Sequence, residues 1–561
     1  MKRRNLVGAA VVAVMTAGLL AASAPSWSQQ AGAAGAGGRG GGRGGAAAAA
    51  PVPTGKSAVV RVAGGEIRGI LFGDVAVWRG VPFAAAPVGD LRWRAPQPVK
   101  AWTGVREAAA YGASCTAPPM GSEDCLFLNV YAPTDAKPGA KLPVMLWIHG
   151  GGFTGGSGST YDGTPYVKQG VVYVSINYRM GRAGWFAHPA ITKNAPANES
   201  VDNFGLEDQI AALRWVQANI AAFGGDKNNV TVFGESAGGV SSMYLITVEP
   251  TKGLFHKMIA ESSFGLAPAF DAKQSERIGA EYFAKKNIAG DSAATLAAMR
   301  RVPWADLQER GVVGDTQPII DGKLIKRDSG TAFSEGKEHK VPLLLGGNSY
   351  EASLWQTADP AARLAKLGTL PAEYAPAGWD ARRTINELVT DYFISGEDRE
   401  IARWHARNGA PTYRYFFSYL PPVQRTPASQ GVAHGGEVNY VFARGLGDPQ
   451  DVATSQAMVA YWTAFAKYGT PGAAGGVTWP KFDLTTEALM EFSSTGPVVR
   501  NHFYNARHDF VRDNRKRIGM TNDPGMAPYY NANPAEEGPR NYVIPGQAAA
   551  KAAPKAAAKA K

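Results

Sequence analysis

Cysteine is rare in this chain, which has two among its 561 residues. A chain of this length buries enough apolar surface to fold without a framework of disulfides, and 45% of its residues are hydrophobic. That fraction excludes a wholly disordered protein. Beyond the N-terminal segment, no run is long and apolar enough to span a bilayer. The sequence therefore predicts a globular body without a stable membrane span.

The body of the chain also lacks an excess of positive charge, although the whole chain has a formal charge of +11 at pH 7. Ten of those charges lie at the two ends, where 1–56 contains six basic residues and no acid and 551–561 contains four lysines. Because 57–550 is nearly neutral, we expect no nucleic-acid partner. For the lysine-rich tail two alternatives stay open, weak contact with an anionic envelope surface or no partner.

The first 28 residues have the pattern of a secretory signal peptide. A basic start, KRR at 2–4, precedes an apolar run over 6–20 and a group of small residues. An uncleaved membrane anchor is the alternative, but the run is short for a span of about 20 residues. We therefore expect a periplasmic or secreted protein, with twin-arginine export as an open alternative to the general route.

Composition divides the chain into four predicted segments. They are the signal peptide 1–28, a Gly/Ala-rich flexible linker 29–56, a folded domain 57–530 and a disordered Ala/Lys-rich tail 531–561. The linker and the tail have almost nothing to bury, so neither is expected to fold.

Within the domain, short apolar runs rich in β-branched residues alternate with helical patterns. The segment 206–225 has apolar residues at helical spacing and ends in a pair of glycines. The predicted buried strands are VMLWIHG (144–150), VVYVSINY (171–178), NVTVFG (229–234), HKMIAES (256–262) and VPLLLGG (341–347). This alternation predicts an α/β fold with a mostly parallel, doubly wound sheet and helices on both faces.

The pattern G-x-S-x-G occurs at residues 234–238, as GESAG. Alone this pattern is weak, because glycine-rich chains produce it by chance. Here it follows the strand-like NVTVF and precedes the helix-compatible GVSSMYLI, which is the context of a nucleophile elbow. We predict that Ser236 is a nucleophile. The alternative is an ordinary serine in a glycine-rich turn.

Three successive glycines follow an earlier predicted strand in HGGGF, residues 149–153. Their backbone N–H groups are free to point at a ligand oxygen, as an oxyanion hole requires. We predict that the donors are Gly151, Gly152 and Ala237. His149 is expected to support this loop rather than to act as a base. A plain flexible loop is the alternative.

A serine nucleophile needs a base, and the chain has eight histidines. His434 lies in the glycine-flanked segment AHGGE (433–437), late in the chain and after the strand-like TYRYFFSY. This position fits the chain order nucleophile, acid, base. We predict that His434 is the base.

Several long segments make a resemblance specific. They are FGGDKNNVTVFGESAGG (223–239), EDCLFLNVYAP (123–133), HGGGF (149–153), NYRMGRAGWF (177–186), NFGLEDQIAALRWVQANIAAFGG (203–225) and AHGGEVNYVF (433–442). On these segments the chain resembles the type-B carboxylesterases, a family that includes bacterial para-nitrobenzyl esterases, animal carboxylesterases and cholinesterases. The similarity spans about residues 60–510, and it implies the α/β-hydrolase fold.

The resemblance also implies roles for individual residues. It makes Glu351, in GNSYEA (347–352), the acid that orients His434, although the family's usual sequence there is Asn-x-Asp-Glu-Gly. In an exported protein, Cys115 and Cys125 suggest one structural disulfide, and the family has a bridge at this place. Two buried ion pairs of the scaffold are implied as well. They are Arg92 with Glu123 and Arg179 with Asp208.

The resemblance implies hydrolysis of carboxylic esters by a serine, through an acyl-enzyme, on short to medium acyl or aromatic esters. Glu235 is expected to orient water, to favour a cationic group or to make a structural hydrogen bond. The alternatives are a catalytically silent interaction or adhesion protein, or an amidase, lactonase or transesterase. No nucleotide, flavin or metal motif occurs, so we expect no cofactor and no metal. An imidazole of ordinary pKa, near 6.5, predicts that hydrolysis falls below about pH 6.

Overall fold

The computed structural model describes residues 52–518, except 120, 198, 266–269, 309–315, 356, 358 and 377. The predicted signal peptide, the linker up to residue 51 and the predicted tail lie outside the described residues. The first strand begins at Gly55, two residues before the start predicted for the domain. In the described part of the chain, no helix is long and apolar enough to cross a membrane.

Most strands of the described residues belong to one large sheet. The strands are β1 (Gly55–Val62), β2 (Gly65–Phe72), β3 (Val75–Pro82), β4 (Val105–Glu107), β5 (Phe127–Pro133), β6 (Leu142–Ile148), β7 (Val172–Ile176), β8 (Gly225–Glu235), β9 (Lys257–Glu261), β10 (Phe270–Asp271), β11 (Ile319–Ile320), β12 (Leu343–Asn348), β13 (Thr412–Phe417), β14 (Leu489–Ser493) and β15 (Gly496–Arg500). Thirteen of them form a sheet in the order β1-β2-β3-β5-β7-β6-β8-β9-β12-β13-β14-β15, with β4 beside β2. Strands β10 and β11 pair separately.

The middle of the large sheet is parallel and its edges are antiparallel, except for the short β4, which pairs parallel with β2. Each neighbouring pair from β7 to β14 runs parallel. Strands β1, β2, β3 and β5 pair antiparallel along one edge, and β15 does so at the other. The five strands predicted from the sequence correspond to β6, β7, β8, β9 and β12, so the prediction of buried parallel strands is confirmed.

Helices connect the strands and cover the sheet. They are α1 (Thr164–Val167), α2 (Gly181–Gly184), α3 (Pro189–Asn194), α4 (Phe204–Asn219), α5 (Ala237–Leu245), α6 (Ala272–Ala284), α7 (Ala293–Arg300), α8 (Trp304–Leu307), α9 (Ser329–Ser334), α10 (Pro360–Ala365), α11 (Ala381–Thr390), α12 (Gly396–Arg407), α13 (Val438–Val441), α14 (Pro449–Tyr468) and α15 (Asn505–Ile518). The helix predicted over 206–225 is α4. A 3₁₀ turn follows α4 and leads to Gly224. The φ of Gly224 is +82°, a conformation in which a residue with a side chain would be strained, so glycine suits the end of the helix.

Successive residues of β6 belong to different hydrophobic clusters. Leu146 packs in a cluster that includes Leu213 of α4, and Trp147 packs in one that includes Phe465 of α14. Because side chains alternate across a strand, the two clusters are cores on opposite faces of the sheet. Helices thus cover both faces, which confirms the predicted mostly parallel α/β architecture.

The carboxyl ends of parallel strands meet at one edge of such a sheet, where loops can bring distant residues together. The residues that directly follow β6, β8, β9 and β12 are His149, Ser236, Ser262 and Ser349. This edge therefore holds the glycine loop, the predicted nucleophile and the start of the segment with the predicted acid.

Candidate active site

Ser236 occupies the sharp turn between β8 and α5. Its φ of 56° and ψ of −122° are strained for a residue with a side chain. A Cβ at Gly238 would lie 2.0 Å from the carbonyl oxygen of Ile148, and one at Gly234 would lie 2.7 Å from the same oxygen. Glycine is therefore required at both positions, and the chain forms the nucleophile elbow that GESAG predicts.

The glycine loop after β6 packs directly against this turn. A Cβ at Gly150 would lie 2.6 Å from Oε2 of Glu235 and 2.9 Å from Cβ of Ser236. Gly151 and Gly152 have φ values of 114° and 60°, which favour glycine. The backbone N–H groups of Gly151, Gly152 and Ala237 donate no hydrogen bond to any other described residue. These three amides are thus available to an oxygen of a ligand.

His149 is buried beneath the glycine loop. Its Nδ1 lies 2.8 Å from the carbonyl oxygen of Gly150, and its ring stacks on Tyr178 with centroids 4.6 Å apart. Burial lowers the pKa of His149 to about 4, so the ring is neutral and donates its proton to that carbonyl. These contacts fit the predicted supporting role.

Glu351 and His434, which are 83 residues apart, are hydrogen-bonded. Nδ1 of His434 lies 2.5 Å from Oε2 of Glu351. The two segments are joined through the backbone, because Tyr350 donates to the carbonyl of Val432 at 2.8 Å. The amide of His434 donates to Oγ of Ser353 at 2.9 Å. The structure thus brings together the acid and the base that the sequence assigned.

Two residues that the sequence analysis did not assign hold Glu351 in place. Oγ of Ser262 donates to Oε1 of Glu351 at 2.6 Å, and the amide of Asn348 donates to the same oxygen at 2.7 Å. Both donors bind Oε1, so they fix the orientation of the carboxylate that directs Oε2 at the imidazole. Asn348 lies three residues before Glu351, but Ser262 is 89 residues away and gives no local signal.

A further buried carboxylate, Glu437, accepts a hydrogen bond from the side-chain amide of Asn348. Burial and the nearby Glu235 and Glu351 raise the pKa of Glu437 to about 8. In the sequence, the only indication that Glu437 belongs to the site is its position three residues after His434, in AHGGEV. A carboxyl group in this position remains largely protonated at neutral pH.

Glu235 contacts the other nitrogen of the imidazole. Its Oε1 lies 3.2 Å from Nε2 of His434. Burial raises the pKa of Glu235 to about 7, against the opposing effect of His434. Burial also disfavours the imidazolium, but Glu351 and Glu235 outweigh it and raise the pKa of His434 to about 9. The predicted fall of hydrolysis below about pH 6 assumed an imidazole of ordinary pKa. Because the neighbouring carboxylates raise this pKa, we expect the fall at higher pH.

The scaffold features implied by the resemblance are present away from this cluster. A disulfide joins Cys115 and Cys125. Arg92 pairs with Glu123 through two hydrogen bonds. Buried Arg179 contacts the Asp208 carboxylate through Nε and Nη2, each at 2.8 Å. The disulfide and both ion pairs are confirmed. Among the described residues, no group of three or more His, Cys, Asp or Glu side chains has an arrangement that could hold a metal ion.

Comparisons with known proteins identify the family of the chain. The model of the carboxylesterase family matches residues 56–368 and 373–511. The chain is 34% identical over 473 residues to fumonisin B1 esterase of Sphingopyxis macrogoltabida, covering 77% of this chain and 85% of that protein. It is 33% identical over 478 residues to the para-nitrobenzyl esterase of Bacillus subtilis (strain 168), covering 77% and 94%.

Solved structures give the same result. A carboxylesterase of Geobacillus stearothermophilus superposes with a TM-score of 0.71 at 32% identity, covering 81% of this chain and 99% of that one. A para-nitrobenzyl esterase superposes with a TM-score of 0.70 at 31% identity, covering 82% and 99%. These neighbours confirm the α/β-hydrolase fold. The chain therefore belongs to the carboxylesterase family and is a carboxylic ester hydrolase.

Proposed function

We propose that Ser236, His434 and Glu351 form the catalytic triad for hydrolysis of carboxylic esters with short to medium acyl or aromatic groups. The observation that carries the proposal is the hydrogen bond between Glu351 and His434, whose other ring nitrogen contacts the residue next to Ser236. The strained turn at Ser236, between a strand and a helix, is the setting that a nucleophilic serine requires.

The roles follow from where each proton sits. In the neutral imidazole, the bond from Nδ1–H of His434 to Glu351 fixes the tautomer that leaves Nε2 unprotonated. Nε2 accepts the proton of Ser236 while the serine oxygen attacks the ester carbonyl. The imidazolium then donates that proton to the departing alcohol, leaving an acyl-enzyme. Water, deprotonated by the same nitrogen, attacks the carbonyl of the acyl-enzyme. The bond to the serine oxygen then breaks, the acid is released, and the imidazolium returns the proton to Ser236.

Two groups stabilise charge during these steps. The amides of Gly151, Gly152 and Ala237 are the proposed donors for the oxyanion. The loop that contains the two glycines packs against Ser236 at Gly150, Ala237 directly follows Ser236, and none of the three amides has an acceptor among the described residues. Glu235, 3.2 Å from Nε2, stabilises the imidazolium that forms during attack. No cofactor takes part in this scheme.

The proposed place of action is outside the cytoplasm. The basic and apolar pattern of residues 1–28 directs export to the periplasm or the medium. The disulfide between Cys115 and Cys125 supports this location, because disulfides persist in oxidising compartments. An ester substrate is the proposed partner, and for the lysine tail both weak contact with an anionic envelope surface and no partner stay open.

The test is stopped-flow hydrolysis of p-nitrophenyl acetate by the purified protein. Wild type is expected to release a burst of p-nitrophenol that matches the enzyme concentration, because the acyl-enzyme accumulates. Ser236→Ala is expected to abolish the burst and to lower kcat by at least about 10⁴-fold.

Ser241→Ala is the matched control for this test. Ser241 is a buried serine of α5, the helix that follows Ser236, and its Oγ accepts a hydrogen bond from Gln209. It is expected to retain the burst. Equal rates in wild type and Ser236→Ala would overturn the proposal. A burst with p-nitroanilides that exceeds the burst with esters would favour amidase activity instead.

A further inference from the structure

Phe264 has an unusual conformation at the edge of the site. It follows β9 and is half-buried, whereas its neighbours Ser262, Ser263 and Gly265 are buried. Its φ of 46° lies in the left-handed region, which a large side chain rarely adopts. Strain of this kind persists only where the surrounding structure fixes it, and it concentrates at functional sites.

Aromatic contacts hold the Phe264 ring against the imidazole. Its centroid lies 5.7 Å from that of His434 and 5.6 Å from that of Trp355, in an edge-to-face arrangement with the latter. Trp355 in turn stacks on Phe393, 4.4 Å away. Both Trp355 and Phe393 are buried, so they form a rigid support behind Phe264.

The strand order places Phe264 opposite the glycine loop. Strand β8, which leads to Ser236, lies between β6 and β9. The glycine loop follows β6 on one side, and Phe264 follows β9 on the other. The segment before Phe264 lies close to the start of α5, since a Cβ at Gly239 would lie 2.5 Å from the carbonyl oxygen of Glu261. An ester whose carbonyl oxygen faces the loop therefore has one of its two substituents on the side of Phe264.

We propose that Phe264 is a specificity-determining residue, and that with Trp355 it forms a wall that selects planar aromatic acyl groups. This inference rests on the proposed triad. An aromatic ring supported from behind keeps a flat surface beside the reacting carbonyl, and a planar acyl ring packs on that surface better than a puckered one. The wall contacts the acyl group, so its contribution appears in the ratio of kcat/KM between acyl groups.

The experiment compares p-nitrophenyl benzoate with p-nitrophenyl cyclohexanecarboxylate, which share the leaving group and the ring size. For Phe264→Ala, the benzoate-to-cyclohexanecarboxylate ratio of kcat/KM is expected to fall about tenfold relative to wild type. Using the change in the ratio removes the intrinsic reactivity of each ester. Benzyl acetate and cyclohexylmethyl acetate, which vary the alcohol, are expected to keep their wild-type ratio.

Phe465→Leu is the matched control, because Phe465 is a buried phenylalanine of α14 in a different hydrophobic cluster. It is expected to lower the melting temperature without changing the acyl ratio. Titration of active sites by the p-nitrophenol burst separates the two proposals. Absence of a burst in wild type would contradict the triad. Where the burst is normal, two results would contradict the role of Phe264. In one, Phe264→Ala slows both acyl esters equally, and in the other, only the ratio for the two alcohols changes.

Discussion

Buried carboxylates lie in two regions of this molecule, the scaffold and the surroundings of His434. The regions differ in how many cationic side chains pair with the carboxylates. In the scaffold, Asp208 receives two hydrogen bonds from the guanidinium of Arg179. Two arginines, Arg383 and Arg507, pair with the two carboxylates of Asp391 and Glu387. Around His434, three buried carboxyl groups share one imidazole. They are Glu235, Glu351 and Glu437.

This difference predicts which carboxylates contribute to the stability of the fold and which contribute to the reaction. A matched buried pair is costly to break, because removal of one partner leaves a desolvated charge. An excess of carboxylates instead raises the pKa values of their neighbours, as it does for His434 and Glu437. Substitutions in the scaffold pairs should therefore change the free energy of unfolding, and substitutions around His434 should change rates and pH dependence.

The largest effect is expected for Glu351→Gln. The side chain keeps an oxygen for Ser262 and Asn348, but it no longer holds the imidazole in the required tautomer or stabilises the imidazolium. We expect kcat for p-nitrophenyl acetate to fall roughly 10⁴-fold. The melting temperature should stay within a few degrees of wild type. If the variant instead unfolded and its folded fraction kept a near-normal kcat, Glu351 would contribute to stability and not to the reaction.

The next effect concerns stability. Arg179→Met should lower the free energy of unfolding, measured in urea, by about 3–5 kcal/mol, because Asp208 is left buried without its partner. The double variant Arg179→Met/Asp208→Leu should recover most of this loss. Both should retain the wild-type kcat per folded molecule. A large fall in kcat at unchanged stability would show that this pair serves the chemistry instead.

The smallest effect is a shift in pH dependence. In wild type, kcat/KM should rise with pH through the raised pKa of His434, about 9, because only the neutral imidazole accepts a proton. Glu235→Gln removes a negative charge 3.2 Å from Nε2, which disfavours the imidazolium. The rising limb should therefore move to lower pH by about one unit or more. The same midpoint in both proteins would show that Glu235 does not tune His434.

Local patterns predicted much of the fold and the site. GESAG and HGGGF combine glycine with a preceding apolar strand, so the turn at Ser236 and the loop at Gly151 follow from short segments. The parallel strands were recognisable because continuous apolar runs suit burial on both faces. Strand β1, whose residues are mostly exposed, lacks that signal. The antiparallel edge it belongs to was therefore not predicted.

The remainder of the site depends on contacts between distant segments. Ser262 and Glu351 are 89 residues apart, and Ser262 and Glu437 are 175 residues apart. The pKa of His434 depends on burial and on three carboxyl groups together, so it cannot be predicted from any single segment of the sequence. The resemblance supplied Glu351, but the aromatic contacts of Phe264 appear only in the folded chain.

The most direct test of the triad is peptide mass spectrometry after reaction with diethyl p-nitrophenyl phosphate, which phosphorylates an activated serine. The account predicts release of one p-nitrophenol per chain and a phosphoryl adduct on Ser236. The reaction should be lost in His434→Ala. An adduct on another serine, or equal labelling of Ser236 in His434→Ala, would contradict the account.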